Sequence, residues 1–125
     1  MKYILLYASI VLPQIEGVTV TSNVSDGSPS LTVSWTAVSD ESGINYTVRY
    51  SKSNGTTTEP PSGASIVSGI TGTSTTLSGL EEDTEYYIWV AAVSPDGQGS
   101  YSARVSHLTN TGIVYTLHML SLIHI

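Results

Sequence analysis

Glu81, Glu82, Asp83 and Glu85 form the densest run of charge in this chain, and carboxylates at such density could chelate calcium. A calcium loop, however, alternates its ligands around a glycine, whereas nearly consecutive carboxylates read as a solvated turn. His107, His118 and His124 share no metal-ligand spacing. Serine is plentiful, yet no Gly-x-Ser-x-Gly elbow occurs, and no aspartate and histidine are placed to relay a proton. Gly97-Gln98-Gly99 leads into an expected strand and so lacks the helix N-terminus that a phosphate site needs. No catalytic residue, cofactor or metal is expected. What remains is acceptor chemistry: Asn23-Val24-Ser25, Asn45-Tyr46-Thr47 and Asn54-Gly55-Thr56 fit the rule for N-glycosylation. Asn23 and Asn54 fall in expected loops, and Asn45 begins an expected strand.

Composition narrows the class further. The chain has 125 residues, enough for one domain that buries a core without metal or disulfide help. Ten acidic against four basic residues give a formal charge of -6, which argues against nucleic acid phosphates or anionic lipid as partners. With no cysteine, thiolate zinc sites, cysteine nucleophiles and disulfide staples are excluded. Eight Tyr and two Trp beside abundant Ser, Thr and Gly suit strands and turns better than helices.

The elements that must position these residues follow from period-two alternation. Runs of β-branched and aromatic residues recur at 17–22, 30–38, 45–51, 64–68, 73–78, 85–94 and 101–108. Leu31, Val33 and Trp35 share one face of the second run, and Tyr46, Val48 and Tyr50 one face of the third, with Thr47 and Arg49 outward. Leu77 contributes from the fifth run. In the sixth, Tyr86, Ile88, Val90 and Ala92 face inward, and in the seventh Ala103 and Val105 do. Asp26-Gly27, Asn54-Gly55, Pro60-Pro61 and Pro95-Asp96-Gly97 supply turn chemistry between them. No crossover helix fits, so the pairing should be antiparallel throughout. The expectation is an all-β, seven-stranded antiparallel sandwich of immunoglobulin type.

Residues 15–109 resemble the fibronectin type III family. The resemblance is carried by Leu31-x-Val33-x-Trp35, Tyr46-x-Val48-x-Tyr50, Gly79-Leu80 before an acidic turn, Tyr86 to Ala92 at two-residue spacing, and then Gly99, Ser102 and Thr109. One departure is that Glu81, Glu82 and Asp83 stand where the family usually has proline soon after the leucine. The resemblance implies that Trp35 and Leu80 are structural and that Tyr86 forms a tyrosine corner, its hydroxyl bonding back to the turn between Leu80 and Asp83. It also implies that the third, sixth and seventh strands lie side by side. Tyr87 and Trp89 would then project to solvent beside Arg49 and Arg104, either as a ladder that stiffens the sheet or as a binding face rich in hot-spot residue types. The Arg-Gly-Asp tripeptide by which some members bind integrins is absent.

The implied function is a non-catalytic protein-interaction or spacer module, monomeric within a larger extracellular or cell-surface adhesion or receptor protein, with a protein ligand as its partner. The alternatives are an accessory spacer of a secreted carbohydrate-active enzyme and an intracellular scaffold repeat. Residues 1–14 have the outline of a secretory signal, one lysine and then a mostly apolar run, without small residues before a cleavage point; the alternative is an unstructured leader in a chain that starts internally, with Met1 a chance start. Residues 110–125 lie outside the domain. The apolar part of this tail, 112–125, is too short to insert in a membrane, which takes about 20 residues. The last six residues coincide with the translation of a common sequencing adapter, CTG-TCT-CTT-ATA-CAC-ATC, so the tail is expected to be an assembly artefact and the natural protein to continue.

Overall fold

Side-chain alternation and turn chemistry together build two layers. The computed structural model describes residues 12–25, 27–38 and 43–110. The apolar leader up to residue 11 and the tail from residue 111, with His118 and His124, lie outside them. Among the described residues there are eight strands: β1 (Thr19–Ser25), β2 (Ser28–Ser34), β3 (Asn45–Ser51), β4 (Ser65–Ile70), β5 (Ser74–Leu77), β6 (Glu85–Ser94), β7 (Gly97–Gln98) and β8 (Val105–Leu108). One sheet has the order β1-β2-β5. In the other, β4, β3, β6 and β7 follow one another, and β8 also pairs with β6. Every pairing is antiparallel. No helix of the described residues is long and apolar enough to cross a membrane.

The inward faces meet as expected. Leu31, Val33 and Trp35 oppose Tyr46, Val48, Ile88, Val90 and Ala92 in one core that also takes in Leu77, Leu80 and Tyr86. Leu31, Val33, Val48, Ile88 and Val90 are fully buried, and each such side chain contributes about 1.5 to 3 kcal/mol relative to an exposed position. The core reaches back beyond residue 15 to Leu12, which packs against the backbone of Gly99; a Cβ at Gly99 would lie 2.8 Å from that of Leu12. Register is pinned by pairs such as Leu31↔Leu77 and Val48↔Val90.

Three details differ from the sequence expectation. First, β1 and β2 pair as far as Ser25↔Ser28, with Gly27 at φ 80°, so the turn is tighter than expected and Asn23 lies within a strand, not a loop. Second, the expected seventh strand is split into β7 and β8, with residues 99–104 outside both strands. Third, Ala103 is exposed and Val105 only half-buried. Ser102 is buried in their place, its N–H donating to Val90 O at 2.7 Å and its hydroxyl accepting from Val90 N–H at 3.0 Å. A side-chain oxygen that stands in for a backbone carbonyl completes the ladder and turns the next residue outward.

Candidate functional site

The outer face of β3, β6 and β8 is where the sequence placed Arg49, Tyr87, Trp89 and Arg104. Register brings three of them to one face, since Arg49 pairs with Trp89 and Ser51 with Tyr87; Arg104 lies just ahead of β8, its guanidinium over the Tyr87 ring. Solvent does not reach Trp89, however. Its relative exposure is 0%, which corrects the expectation of a projecting indole. The connection from β3 to β4, residues 52–64, folds back over it as a strap. Trp89 Nε1–H donates to Thr56 O at 3.1 Å. Arg104 donates twice to the strap, from its backbone N–H to Thr57 O at 2.7 Å and from Nη1 to Asn54 O at 2.8 Å. From the other side, Arg49 Nη2 donates to Ala64 O at 2.9 Å and to Ser62 O at 3.4 Å.

The physical reason is mutual satisfaction. A strap without a strand partner has carbonyls to pair, and an indole or guanidinium near a sheet has donors to pair, so each supplies what the other lacks, save that the buried Nε of Arg49 has no partner among the described residues. The apolar ring meanwhile leaves water. Gly55 permits the close approach, with φ 49°; a Cβ there would lie 2.5 Å from Glu59 O and 3.0 Å from Trp89 Cζ2. Within the strap, Thr56 N–H donates to Glu59 O and Ala64 N–H to Pro61 O. The cation–π contact found here is Arg104 Cζ over the Tyr87 ring, at 5.6 Å, not over Trp89. Arg49, Trp89 and Arg104 thus hold a loop onto a sheet, with Tyr87 beneath the Arg104 guanidinium.

The structural residues sit in the other layer boundary. Trp35 is buried, its ring 5.4 Å from that of Tyr46 at 58°, and its Nε1–H has no hydrogen-bond partner among the described residues. The Tyr86 hydroxyl accepts from the N–H of Glu81 at 2.9 Å, beside the buried Leu80. The partner is therefore a donor in the turn. Thr109 reinforces the same corner, its hydroxyl donating to Glu81 O at 2.6 Å. Tyr86→Phe leaves the Glu81 N–H without its acceptor and is expected to lower stability by about 1 kcal/mol or more; urea unfolding at equal slope reads the shift in midpoint, and coincident midpoints would refute it.

The acidic turn holds Lys52 Nζ to Glu81 Oε2 at 2.7 Å on the exposed surface, and this hydrogen bond keeps the Lys52 ammonium above its ordinary range. Asp83 adopts φ 55°, a left-handed turn position. Among the described residues no three His, Cys, Asp or Glu side chains gather to hold a metal ion. His107 lies opposite Tyr86 in the β6–β8 register. Of the three asparagines in acceptor triplets, Asn23 is exposed on β1, Asn45 is half-buried at the start of β3, and Asn54 is exposed in the strap.

Comparisons with known proteins agree with this architecture. The family profile described as "Fibronectin type III domain" matches residues 13–108. A solved structure described as a myokine is 28% identical, with a TM-score of 0.60 over 78% of this chain and 96% of the other. The FN1-FN3 domains of chicken CNTN1 are 26% identical, TM-score 0.63, over 79% of this chain but only 31% of that one. The FN5 domain of Drosophila Lar shares the fold at 22% identity, TM-score 0.55, covering 80% and 97%. A search of curated proteins finds no match.

Proposed function

Because this chain belongs to the fibronectin type III family, whose members are typically non-catalytic binding or spacer modules frequent in extracellular and cell-surface proteins, we propose that it is a protein-interaction or spacer module of an extracellular or cell-surface adhesion or receptor protein. The observation that carries this reading is where its strongest recognition chemistry goes. Trp89, Arg49 and Arg104 engage the strap of their own chain, so the fold consumes them in its own construction. The outer face of the β1-β2-β5 sheet offers instead an uncharged ladder of hydroxyls and one amide. Thr19 meets Ser34 at 3.1 Å, Asn23 meets Thr32 at 3.1 Å, and Thr32 meets Thr76 at 3.4 Å. A face whose polar groups already satisfy one another suits a spacer with transient contacts better than a tight hot spot.

The net charge of -6 further disfavours nucleic acid as a partner. The complete transcript tests the proposal. A secretion signal together with further modules of this family, or with a membrane anchor, is the expected result. A neighbouring glycan-cleaving catalytic domain would replace it with an enzyme accessory, and a full-length frame lacking any secretion signal would replace it with an intracellular scaffold.

A further inference from the structure

The three glycan acceptor triplets stand in three different environments, and only one leaves both the asparagine amide and the hydroxyl two residues on free to react. In Asn45-Tyr46-Thr47 the extended backbone of β3 locks Tyr46 into the core and buries Thr47 to 4% exposure. Asn45 itself is half-buried and paired with Val93. A branched sugar there would have to part β3 from its neighbours. In Asn23-Val24-Ser25 the side chain is exposed, but Nδ2, the atom that would carry the sugar, donates to Thr32 Oγ1 at 3.1 Å as part of the hydroxyl ladder. Val24 between them is paired with Pro29.

Asn54-Gly55-Thr56 is the reverse case. All three residues are exposed, and their structural duties fall on backbone atoms: Asn54 O accepts from Arg104, Thr56 N–H donates to Glu59 O, and Thr56 O accepts from Trp89. Gly55 places no side chain between amide and hydroxyl. The backbone beneath is held by Arg104 and Trp89 while the reactive side chains are left to solvent.

We propose that Asn54 is the N-glycan acceptor of this domain, in preference to Asn23 and Asn45. This rests on the extracellular reading above, since the transfer occurs in the secretory pathway. In the reaction Asn54 Nδ2 forms a bond to C1 of the first sugar of a lipid-diphosphate-linked oligosaccharide. The C1–O bond to the diphosphate breaks, the lipid diphosphate leaves with the electron pair, and one amide proton is released. The glycan then stands over the strap, on the side of the sandwich already closed by Trp89, and leaves the hydroxyl face of β1, β2 and β5 open for contact.

The test places the whole chain behind an unrelated cleavable secretion signal in a glycosylating cell line. Treatment of the secreted protein with peptide N-glycosidase in heavy-oxygen water converts each occupied asparagine to labelled aspartate, which peptide mass spectrometry locates. Label chiefly at residue 54 is expected, with the glycan's gel shift lost in both Asn54→Gln and Thr56→Ala while their urea midpoints stay with the deglycosylated parent. An unlabelled Asn54, or occupancy greater at Asn23 or Asn45, overturns the inference. Because the borrowed signal delivers the chain to the transferase, an empty Asn54 refutes this site alone, and the extracellular reading still stands or falls with the transcript.

Discussion

Alanine at Trp89 is expected to lower the unfolding free energy by about 3 to 5 kcal/mol, the range for removing a buried aromatic side chain. That is a large share of the roughly 5 to 15 kcal/mol by which such domains are stable. The ring is fully buried although it sits on the outer side of its sheet, and its N–H is the donor that Thr56 O receives. The substitution therefore acts twice, opening a cavity between strap and sheet and leaving a carbonyl unpaired. Two measurements read the consequence. Urea unfolding reports the global loss, and limited proteolysis under native conditions reports the strap, since residues 52–64 freed from the sheet become the preferred cleavage site. A change under about 0.5 kcal/mol, the scale of ordinary surface substitutions, would mean that the indole is not covered.

The second large effect is expected at Trp35. Trp35→Ala should also cost about 3 to 5 kcal/mol, but without selective exposure of the strap. This indole fills the space between the two layers and packs on Tyr46, so its loss weakens the sandwich as a whole, and cleavage of the strap should follow global unfolding only. Trp35→Phe gives the finer reading. The Trp35 N–H is buried without a partner among the described residues, so phenylalanine removes an unsatisfied donor along with some volume, and the two contributions oppose one another. The loss for Phe should be well below that for Ala; equal losses would show that the N–H has a bonded partner after all.

Much of the fold could be read from the chain because alternation is a local property. Leu31, Val33 and Trp35, or Tyr46 and Val48, declare a buried face by their spacing alone, and β3 and β6 occupy the expected residues without shift. Two features depend on what lies across from a residue and were correspondingly hidden. Ser102 is polar, so spacing favoured Ala103 as the inward residue; only the Val90 N–H across the ladder, which donates to the Ser102 hydroxyl, explains the choice. Alternation likewise assigned Trp89 to the outer face correctly but carried no information on what covers that face. The signal was present in another form. About a dozen residues between β3 and β4 are too many for a tight hairpin, and Asn54-Gly55 and Pro60-Pro61 allow them to fold back. Asn23 was hidden for a different, local reason: β1 and β2 stay paired as far as Ser25↔Ser28, across a shorter turn than the Gly, Ser and Pro residues there suggest.

The positions of the domain's two ends have a mechanical meaning. Leu12 lies by Gly99, beyond the last residues of β6, whereas Asn110 O accepts from Asp83 N–H just ahead of its first residue. The 10 residues of β6, at about 3.3 Å each, set these poles roughly 30 Å apart. Tension applied through covalent neighbours at residues 12 and 110 would run along the strands, so the ladders that anchor β1 and β8 would be sheared with their hydrogen bonds loaded together, not peeled one at a time. Loaded in that way, the domain would behave as a stiff ruler that lengthens a tether by a fixed increment and resists extension until many bonds fail at once.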